Sequence, residues 1–258
     1  MKTKPVKIGN IEVGGPQFTV IAGPCSIESN EQFLSTAKSV LESGAYLLRG
    51  GVFKLRTSPN SFQGLGHNAF QIVRDVKTKT NAPFITEVTD PRQIGDLDSL
   101  VDAFQVGSRN MHNYELLKEL GKTDKPIILK RGFSGLIKEW ILAAEYIKNN
   151  GNENVVLCER GIRSFDQTTR NTFDLNAVAY IKQNTDFPIL ADPSHATGIK
   201  ELVTPMSLAA IAAGADGIMV EVHPNPSEAL SDGFQALTFS DFKFLMAKIK
   251  KLLPALDR

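Results

Sequence analysis

The sequence predicts a single α/β domain, a (β/α)8 barrel over residues 18–258 that is preceded by a short β-hairpin extension over residues 1–17. Three observations support this. The chain has 258 residues and 42% hydrophobic content, enough to bury a full barrel core. Eight short, nearly continuous apolar runs alternate with helical patterns, as expected of a parallel sheet covered by helices. The first run ends in Gly23-Pro24-Cys25, which is not the glycine-rich dinucleotide fingerprint, so an open Rossmann sheet is disfavoured.

The N-terminal elements come first. Residues 6–13 alternate apolar and polar around a Gly-Asn pair, which predicts a two-residue hairpin placed to plug one end of the barrel. The first barrel strand is expected at 18–22. Ser29 and Gln32 then form a capping-box pattern, so a helix is predicted to begin there and to end at Gly44.

The remaining elements repeat this unit. Further strands are predicted at 45–48, 84–88, 103–107, 126–130, 154–158, 187–191 and 217–222. Helical patterns lie at 67–80, 91–98, 113–120, 134–148, 174–183, 205–213 and 240–253.

Bulk composition excludes several classes of protein. A formal net charge of +1 gives no global field for nucleic acid or an anionic membrane. No apolar run approaches the roughly 18 residues that a membrane span needs. Cys25 and Cys158 have neither metal-motif nor disulfide-scaffold spacing, so free thiols and a cytoplasmic location are expected.

The strand ends carry the candidate chemistry, because barrel enzymes build their sites at the C-terminal ends of the strands. Six cations fall there: Arg49, Lys54, Arg56, Arg109, Lys130 and Arg160. Brought together they would repel one another unless anions bind between them, which predicts ligands carrying several phosphate or carboxylate groups. The alternatives are pairing with Asp and Glu neighbours and, for the loop 49–59, a solvated basic turn.

A second group consists of Cys25, His195, Glu221 and Asp232. A thiolate, an imidazole and two carboxylates suit Mn, Fe, Co or Zn better than Mg. Their separations are too wide for a local metal motif, so a satisfied loop histidine and an inert core thiol stay open as alternatives. Only the barrel would bring the four together.

At this point the motifs resemble a known family. They are Gly23-Pro-Cys-Ser-Ile-Glu-Ser29, Arg49-Gly-Gly-Val-Phe-Lys-Leu-Arg-Thr-Ser-Pro59, Gly107-Ser-Arg-Asn110, Leu129-Lys-Arg-Gly132, Cys158-Glu-Arg-Gly-Ile-Arg163, Thr169-Arg-Asn171, Asp192-Pro-Ser-His195, Val220-Glu-Val-His-Pro224 and Ser231-Asp-Gly233. In this order they resemble the 3-deoxy-D-arabino-heptulosonate 7-phosphate (DAHP) synthases. The likeness is to the shorter subfamily, related to 3-deoxy-D-manno-octulosonate 8-phosphate synthase, and extends from about Phe18 onward.

The resemblance implies a metal-dependent condensation of phosphoenolpyruvate with erythrose 4-phosphate, the first step of the shikimate pathway. Its motif positions imply a role for each group. The metal ligands would be Cys25, His195, Glu221 and Asp232. Phosphoenolpyruvate would be bound by Arg49, Lys54, Arg109, Lys130 and Arg160, with Arg109 and Arg160 nearest its phosphate. The phosphate of the sugar would be bound by Arg56 and Thr57. Lys54, Lys130 and His195 are thereby the catalytic candidates. Glu87 is a further candidate, for the proton of the attacking water, with a salt bridge to a nearby cation as the alternative.

Two departures and the assembly state complete the expectations. Leu55 stands where the family usually has proline, which loosens a loop that proline would pre-set. The short N-terminus leaves no room for a regulatory or chorismate mutase domain, so feedback inhibition through one is not expected. The resemblance implies a homotetramer or dimer.

Three other functions are weighed against this one. The octulosonate synthase uses arabinose 5-phosphate, but it usually carries Ala-Asn-Arg-Ser-Ser after the loop lysine, where this chain reads Leu55-Arg-Thr-Ser58. A Schiff-base aldolase would use Lys54 or Lys130 with a lowered pKa. A non-catalytic phosphosugar-binding barrel would leave the metal set accidental.

Overall fold

The computed structural model describes residues 2–258 and confirms the predicted barrel. The barrel consists of eight parallel strands: β3 Thr19–Gly23, β4 Leu47–Arg49, β5 Phe84–Val88, β6 Ala103–Val106, β7 Ile127–Lys130, β8 Val155–Glu159, β9 Ile189–Ala191 and β10 Gly217–Glu221. They close in the order β10-β3-β4-β5-β6-β7-β8-β9. Each lies within or beside the run predicted for it.

The α-helices cover the outside of the barrel. They are α1 Asn30–Glu42, α2 Ala69–Thr80, α3 Ile94–Asp98, α4 Tyr114–Gly121, α5 Ile137–Asn149, α6 Leu175–Asn184, α7 Pro193–Thr197, α8 Lys200–Ala212 and α9 Phe239–Leu252. Half of the capping box predicted for α1 is present: Ser29 Oγ accepts the Gln32 N–H at 3.0 Å, but Gln32 Oε1 accepts the N–H of Glu28 at 3.4 Å in place of that of Ser29. None of the helices in residues 2–258 combines the length and the apolar character needed to cross a bilayer.

Two helical predictions differ from the structure. The short helix α7 was not expected, because five residues are too few to show a period. Helix α8 begins five residues before its predicted start and contains Pro205. Proline is favoured at the first position of a helix, where its missing N–H costs nothing. Here the helix continues through it at the cost of one internal hydrogen bond.

The N-terminal hairpin consists of β1 Val6–Ile8 and β2 Ile11–Val13, paired antiparallel with Val6 opposite Val13. Gly9 at the turn has φ 59°, a conformation that glycine adopts without strain. Val6, Ile8 and Val13 are buried against the residues that fill the barrel interior. Those interior residues are Ile21, Leu47, Ile85, Ala103, Ile128, Val156, Cys158, Leu190 and Met219. The hairpin therefore closes the N-terminal end, and the polar groups are left at the opposite end.

Candidate active site

A cavity of about 300 Å³ opens at the C-terminal end of the barrel. Ten of the twelve predicted site residues line it: Arg49, Lys54, Arg56, Thr57, Glu87, Arg109, Lys130, Arg160, His195 and Asp232. The other two, Cys25 and Glu221, are buried at 4% and 0% exposure. They are nonetheless close to the cavity, because their ligand atoms and those of His195 and Asp232 all lie within 4.8 Å of one another.

Four different segments bring these ligand atoms together. Cys25 follows β3, Glu221 is the last residue of β10, and His195 lies in α7. Asp232 lies in the loop after β10 and has φ 51° and ψ 30°, a left-handed conformation rare for residues other than glycine. A thiol, an imidazole and two carboxylates at this spacing fit a divalent transition metal.

His195 is oriented by the residue that caps its helix. Asp192 Oδ1 accepts the backbone N–H of His195 at 3.0 Å, and Oδ2 lies 2.8 Å from His195 Nδ1. Burial lowers the pKa of His195, although Asp192 and Glu221 oppose that shift, so the ring is neutral near pH 7. With the proton on Nδ1, the lone pair is on Nε2, 3.3 Å from Glu221 Oε1. This is the tautomer a metal ligand needs.

The carboxylates beside the cluster are held ionised by cations. Arg49 NH1 donates to Glu221 Oε1 at 2.8 Å, and Lys130 Nζ lies 2.5 Å from Asp192 Oδ2. Burial opposes ionisation of Asp192, but its electrostatic interactions with His195 and Lys130 outweigh that effect and hold the pKa of Asp192 well below the usual range. Burial likewise opposes the charge on Arg49, yet Glu221 raises its pKa.

The Cys25 thiol completes the cluster. Its Sγ lies 3.1 Å from Ser231 Oγ and 3.3 Å from Asp232 Oδ2. Burial, with a further contribution from Glu221, raises the pKa of Cys25 to about 12. A thiol in this position coordinates a metal by losing its proton, so the cluster exchanges one proton for a divalent cation.

Another part of the cavity lining, here called the cationic wall, consists of Arg109 and Arg160 and lacks such pairing. Among residues 2–258, no carboxylate lies within ion-pair distance of Arg109 or Arg160. Burial and the charge of Arg170 lower the pKa of Arg160 to about 10, despite an opposing contribution from Asp192. Burial and the charges of Arg170 and Arg56 also lower the pKa of Arg109, although the charge of Glu87 opposes that shift. A cluster in this state is stabilised by a bound anion.

One aromatic ring contacts this cationic wall. The guanidinium carbons of Arg109, Arg160 and Arg163 lie 5.3, 4.8 and 4.8 Å from the Phe133 ring centroid. Such contacts are favourable cation–π interactions that add no negative charge. Phe133 therefore groups the arginines without neutralising them.

The loop after β4 forms the mouth. Arg56 NH1 donates to Ser231 Oγ at 2.7 Å and lies 3.7 Å from Asp232 Oδ2, while Thr57 Oγ1 accepts from Arg109 NH2 at 3.0 Å. Leu55 lines the cavity and is 40% exposed. Residues of the basic loop thus contact both walls, which a solvated turn would not do.

Glu87 lies in the cavity wall beside Gly107. A Cβ at position 107 would fall 2.0 Å from Glu87 Oε1, so a larger residue there would displace this carboxylate. No cation of residues 2–258 is within ion-pair distance of Glu87, although its charge acts on Lys54 and Arg109. Burial opposes the charge on Lys54, but Cys25 and then Glu87 raise its pKa. A lysine in this state does not suit a Schiff-base mechanism.

Sequence reasoning gave no role to several lining residues, among them Gln105, Phe133 and Arg170. Arg170 lies eleven residues after the end of β8, so the strand-end rule passed over it, although the motif Thr169-Arg-Asn171 contains it. Arg131 is the opposite case, a cation at a strand end that is not part of the site. It directly follows Lys130, yet it is buried against Glu159 at 2.9 Å and Asp174 at 2.8 Å and does not line the cavity.

Comparison with known proteins agrees with this geometry. Residues 2–256 match the DAHP synthetase I family. The phospho-2-dehydro-3-deoxyheptonate aldolase of Thermotoga maritima is 47% identical over 251 residues, which cover 97% of this chain and 74% of that protein. The 2-dehydro-3-deoxyphosphooctonate aldolase of Koribacter versatilis is 32% identical over 273 residues, covering 97% of this chain and 95% of that protein.

Solved structures give the same result. The crystal structure of the Thermotoga maritima phospho-2-dehydro-3-deoxyheptonate aldolase (DAHP synthase) has a TM-score of 0.95 at 47% identity, covering 99% of this chain and 75% of that one. A truncated form of the Thermotoga maritima 3-deoxy-D-arabino-heptulosonate 7-phosphate synthase has a TM-score of 0.92 at 44% identity, covering 99% and 94%. Fold, site and sequence agree, and the chain belongs to the DAHP synthetase I family.

Proposed function

We propose that the barrel is a DAHP synthase, which joins C3 of phosphoenolpyruvate to the aldehyde carbon of erythrose 4-phosphate and releases inorganic phosphate. The observation that carries this proposal is the pairing of two chemistries in one cavity. The cavity contains both a four-residue cluster that could hold a metal and arginines without carboxylate partners in the described chain. Two phosphorylated substrates and one electrophilic carbonyl require this combination.

Phosphoenolpyruvate is assigned to the cationic wall. Arg109 and Arg160 hold its phosphate, since they are the arginines that burial and mutual repulsion leave without a counter-charge. Lys54 and Lys130 then hold its carboxylate, and Arg49 fixes Glu221 beside them. These contacts orient C3 of the enol toward the metal cluster.

Erythrose 4-phosphate is assigned to the mouth. Arg56 and Thr57 hold its phosphate, and Arg56 is already within 3.7 Å of the Asp232 carboxylate. The aldehyde end of the sugar then lies toward the cluster of Cys25, His195, Glu221 and Asp232. A divalent cation held by those four residues would polarise the aldehyde oxygen as a Lewis acid.

The remaining steps need a proton acceptor. As C3 bonds to the aldehyde carbon, C2 becomes electron-deficient and bonds to a water oxygen, and that water must lose a proton. Glu87 lies in the cavity wall without an ion-pair partner in the described chain, so we assign it this proton. The C2–O bond to phosphate then breaks as the second water proton leaves the new hydroxyl on C2, which gives the ketone. One of the two water protons ends on the alkoxide formed from the aldehyde oxygen and the other leaves with the phosphate, whose charge Arg109 and Arg160 stabilise.

Three further properties belong to the proposal. The thiol ligand favours Mn, Fe, Co or Zn over Mg. A cytoplasmic location fits two free buried cysteines. A homo-oligomer, tetramer or dimer, fits the exposed apolar side chains on and beside α4 and α5, which include Tyr114, Leu136, Leu142 and Tyr146. Light scattering of the purified protein measures the assembly directly.

Phosphate release with two acceptor sugars tests the function. Erythrose 4-phosphate should support turnover, a chelator should abolish it, and added Mn²⁺ should restore it. Turnover with arabinose 5-phosphate alone would instead identify an octulosonate synthase. Chelator-resistant turnover together with borohydride trapping of a lysine would identify a Schiff-base aldolase.

A further inference from the structure

A buried amide connects the metal cluster to the cavity wall. Gln235 is fully buried; its Nε2 donates to Glu221 Oε2 at 2.6 Å, and its Oε1 accepts from Arg170 NH1 at 2.7 Å. The orientation of this amide is unambiguous, because an ionised carboxylate only accepts and a guanidinium only donates.

Gln235 occupies the one Glu221 oxygen that the other partners leave free. Glu221 Oε1 accepts from Arg49 NH1 at 2.8 Å and faces His195 Nε2 at 3.3 Å. With Oε2 bound by Gln235, both oxygens are engaged and the carboxylate plane cannot rotate without breaking a hydrogen bond. The rotation of Glu221 is thus set by Arg49 and Gln235 together.

Arg170 extends this arrangement to the second carboxylate. Its NH1 lies 3.6 Å from Asp232 Oδ1, and its side chain is 30% exposed at the cavity wall. Its backbone N–H donates to Thr197 O at 2.8 Å, and a Cβ on Gly198 would fall 2.5 Å from the Arg170 Cβ. Arg170 is therefore fixed against the end of the helix that carries His195.

We propose that Gln235 and Arg170 are positioning residues, which orient Glu221 and Asp232 for the divalent cation before it binds. The inference rests on the proposed function, in which those carboxylates are ligands. Hydrogen bonds that pre-orient a ligand spare the metal site the cost of ordering it, and losing one typically weakens metal binding. The family motifs imply no role for either residue, although the motif Thr169-Arg-Asn171 contains Arg170.

The charge of Arg170 dictates the choice of variants. A cation near the site repels a divalent metal, so removing that charge would favour binding and mask the lost orientation. Gln235→Met and Arg170→Lys both keep the charge. Methionine removes both amide contacts at similar length, and lysine replaces a planar fork with a single ammonium that cannot reproduce it. Arg163→Lys is the matched control, since Arg163 is in the same loop and stacks on Phe133 instead.

The experiment is titration calorimetry of Mn²⁺ into the chelator-stripped full-length protein, with the melting temperature of each metal-free variant as the folding check. Gln235→Met should bind Mn²⁺ roughly 10- to 100-fold more weakly. Arg170→Lys should lose about fivefold, as expected of one weakened charge-assisted contact. Arg163→Lys should bind like the unmodified protein. The loss of Mn²⁺-binding free energy in the double variant should be smaller than the sum of the losses in the two single variants, because Arg170 acts on Glu221 through Gln235.

Affinities within twofold of the unmodified protein in both folded variants would overturn the inference. If Gln235→Met does not fold, Arg170→Lys decides alone, because its side chain reaches the surface and its replacement buries no new group. Cys25→Ser distinguishes an error in the proposed ligand set from an error in the positioning role of Gln235 and Arg170. If that change leaves Mn²⁺ binding intact, the proposed ligand set is wrong; if it weakens binding while the other two variants do not, only the positioning role is wrong.

Discussion

The two walls of the cavity are both rich in charge, yet they differ in how that charge is balanced. The metal wall is the part of the cavity around Cys25, His195, Glu221 and Asp232. There Arg49 pairs with Glu221 at 2.8 Å, and Asp192 pairs with both Lys130 and His195. At the cationic wall, Arg109 and Arg160 have no carboxylate partner in the described chain, and burial lowers the pKa of both. Paired charges keep their geometry in the absence of a ligand, whereas the repulsion between unpaired cations is relieved only when an anionic ligand binds.

The largest effect is expected from breaking the metal wall at its softest ligand. Cys25→Ser should remove most of the bound metal and lower phosphate release by about a hundredfold or more, because the soft thiolate supplies the preference for transition metals. Elemental analysis and phosphate release measure the two losses. Cys158→Ser is the matched control: Cys158 is equally buried, but it lies in the apolar interior of the barrel. Equal metal content in both variants would contradict the ligand assignment.

The next comparison sets a paired arginine against an unpaired one. Arg160→Met should raise the KM for phosphoenolpyruvate by about a hundredfold and leave the melting temperature unchanged or higher, since it removes a buried, unbalanced charge. Arg131→Met should instead destabilise the fold by about 3 kcal/mol or more, because it leaves Glu159 and Asp174 unpaired. Steady-state kinetics and thermal melting separate the two. A stability loss in Arg160→Met as large as that in Arg131→Met would contradict the contrast between the walls.

A smaller effect is expected at the ring that groups the arginines. Phe133→Leu removes the aromatic face near Arg109 and Arg160, and it should weaken phosphoenolpyruvate binding by about 1 kcal/mol, or roughly fivefold. Phe133→Tyr keeps the ring and should bind like the unmodified protein. Fluorescence or calorimetric titration with phosphoenolpyruvate measures both, and equal affinity in the two variants would show that the ring acts only by filling space.

The smallest effect concerns the mouth. The Leu55 N–H has no hydrogen-bond acceptor in the described chain, so Leu55→Pro should break no backbone bond. It should restrict the loop and lower the KM for erythrose 4-phosphate by about twofold, in line with the 0.4–1 kcal/mol typical of a compatible proline. The KM for phosphoenolpyruvate should not change. A higher KM for the sugar would mean that the leucine loop needs a backbone conformation that proline forbids.

Much of the site was predictable because a barrel converts strand order into position. Once eight apolar runs are recognised, Arg49, Lys130 and Glu221 must meet at one end, whatever their separation in sequence. The motifs then indicated which of those residues form the metal set. Arg170 was not predictable in this way, since a long loop does not fix where its residues lie.

The sequence by itself determined the barrel, the hairpin and the set of charged residues at the strand ends, since these follow from local periodicity and strand order. Tertiary structure alone decided which charges are balanced. Lys130 and Arg131 are neighbours with the same charge, yet one faces Asp192 in the cavity and the other is buried against Glu159 and Asp174. The physical reason is that each pairing depends on carboxylates 28 to 62 residues away, whose approach only the closed barrel sets.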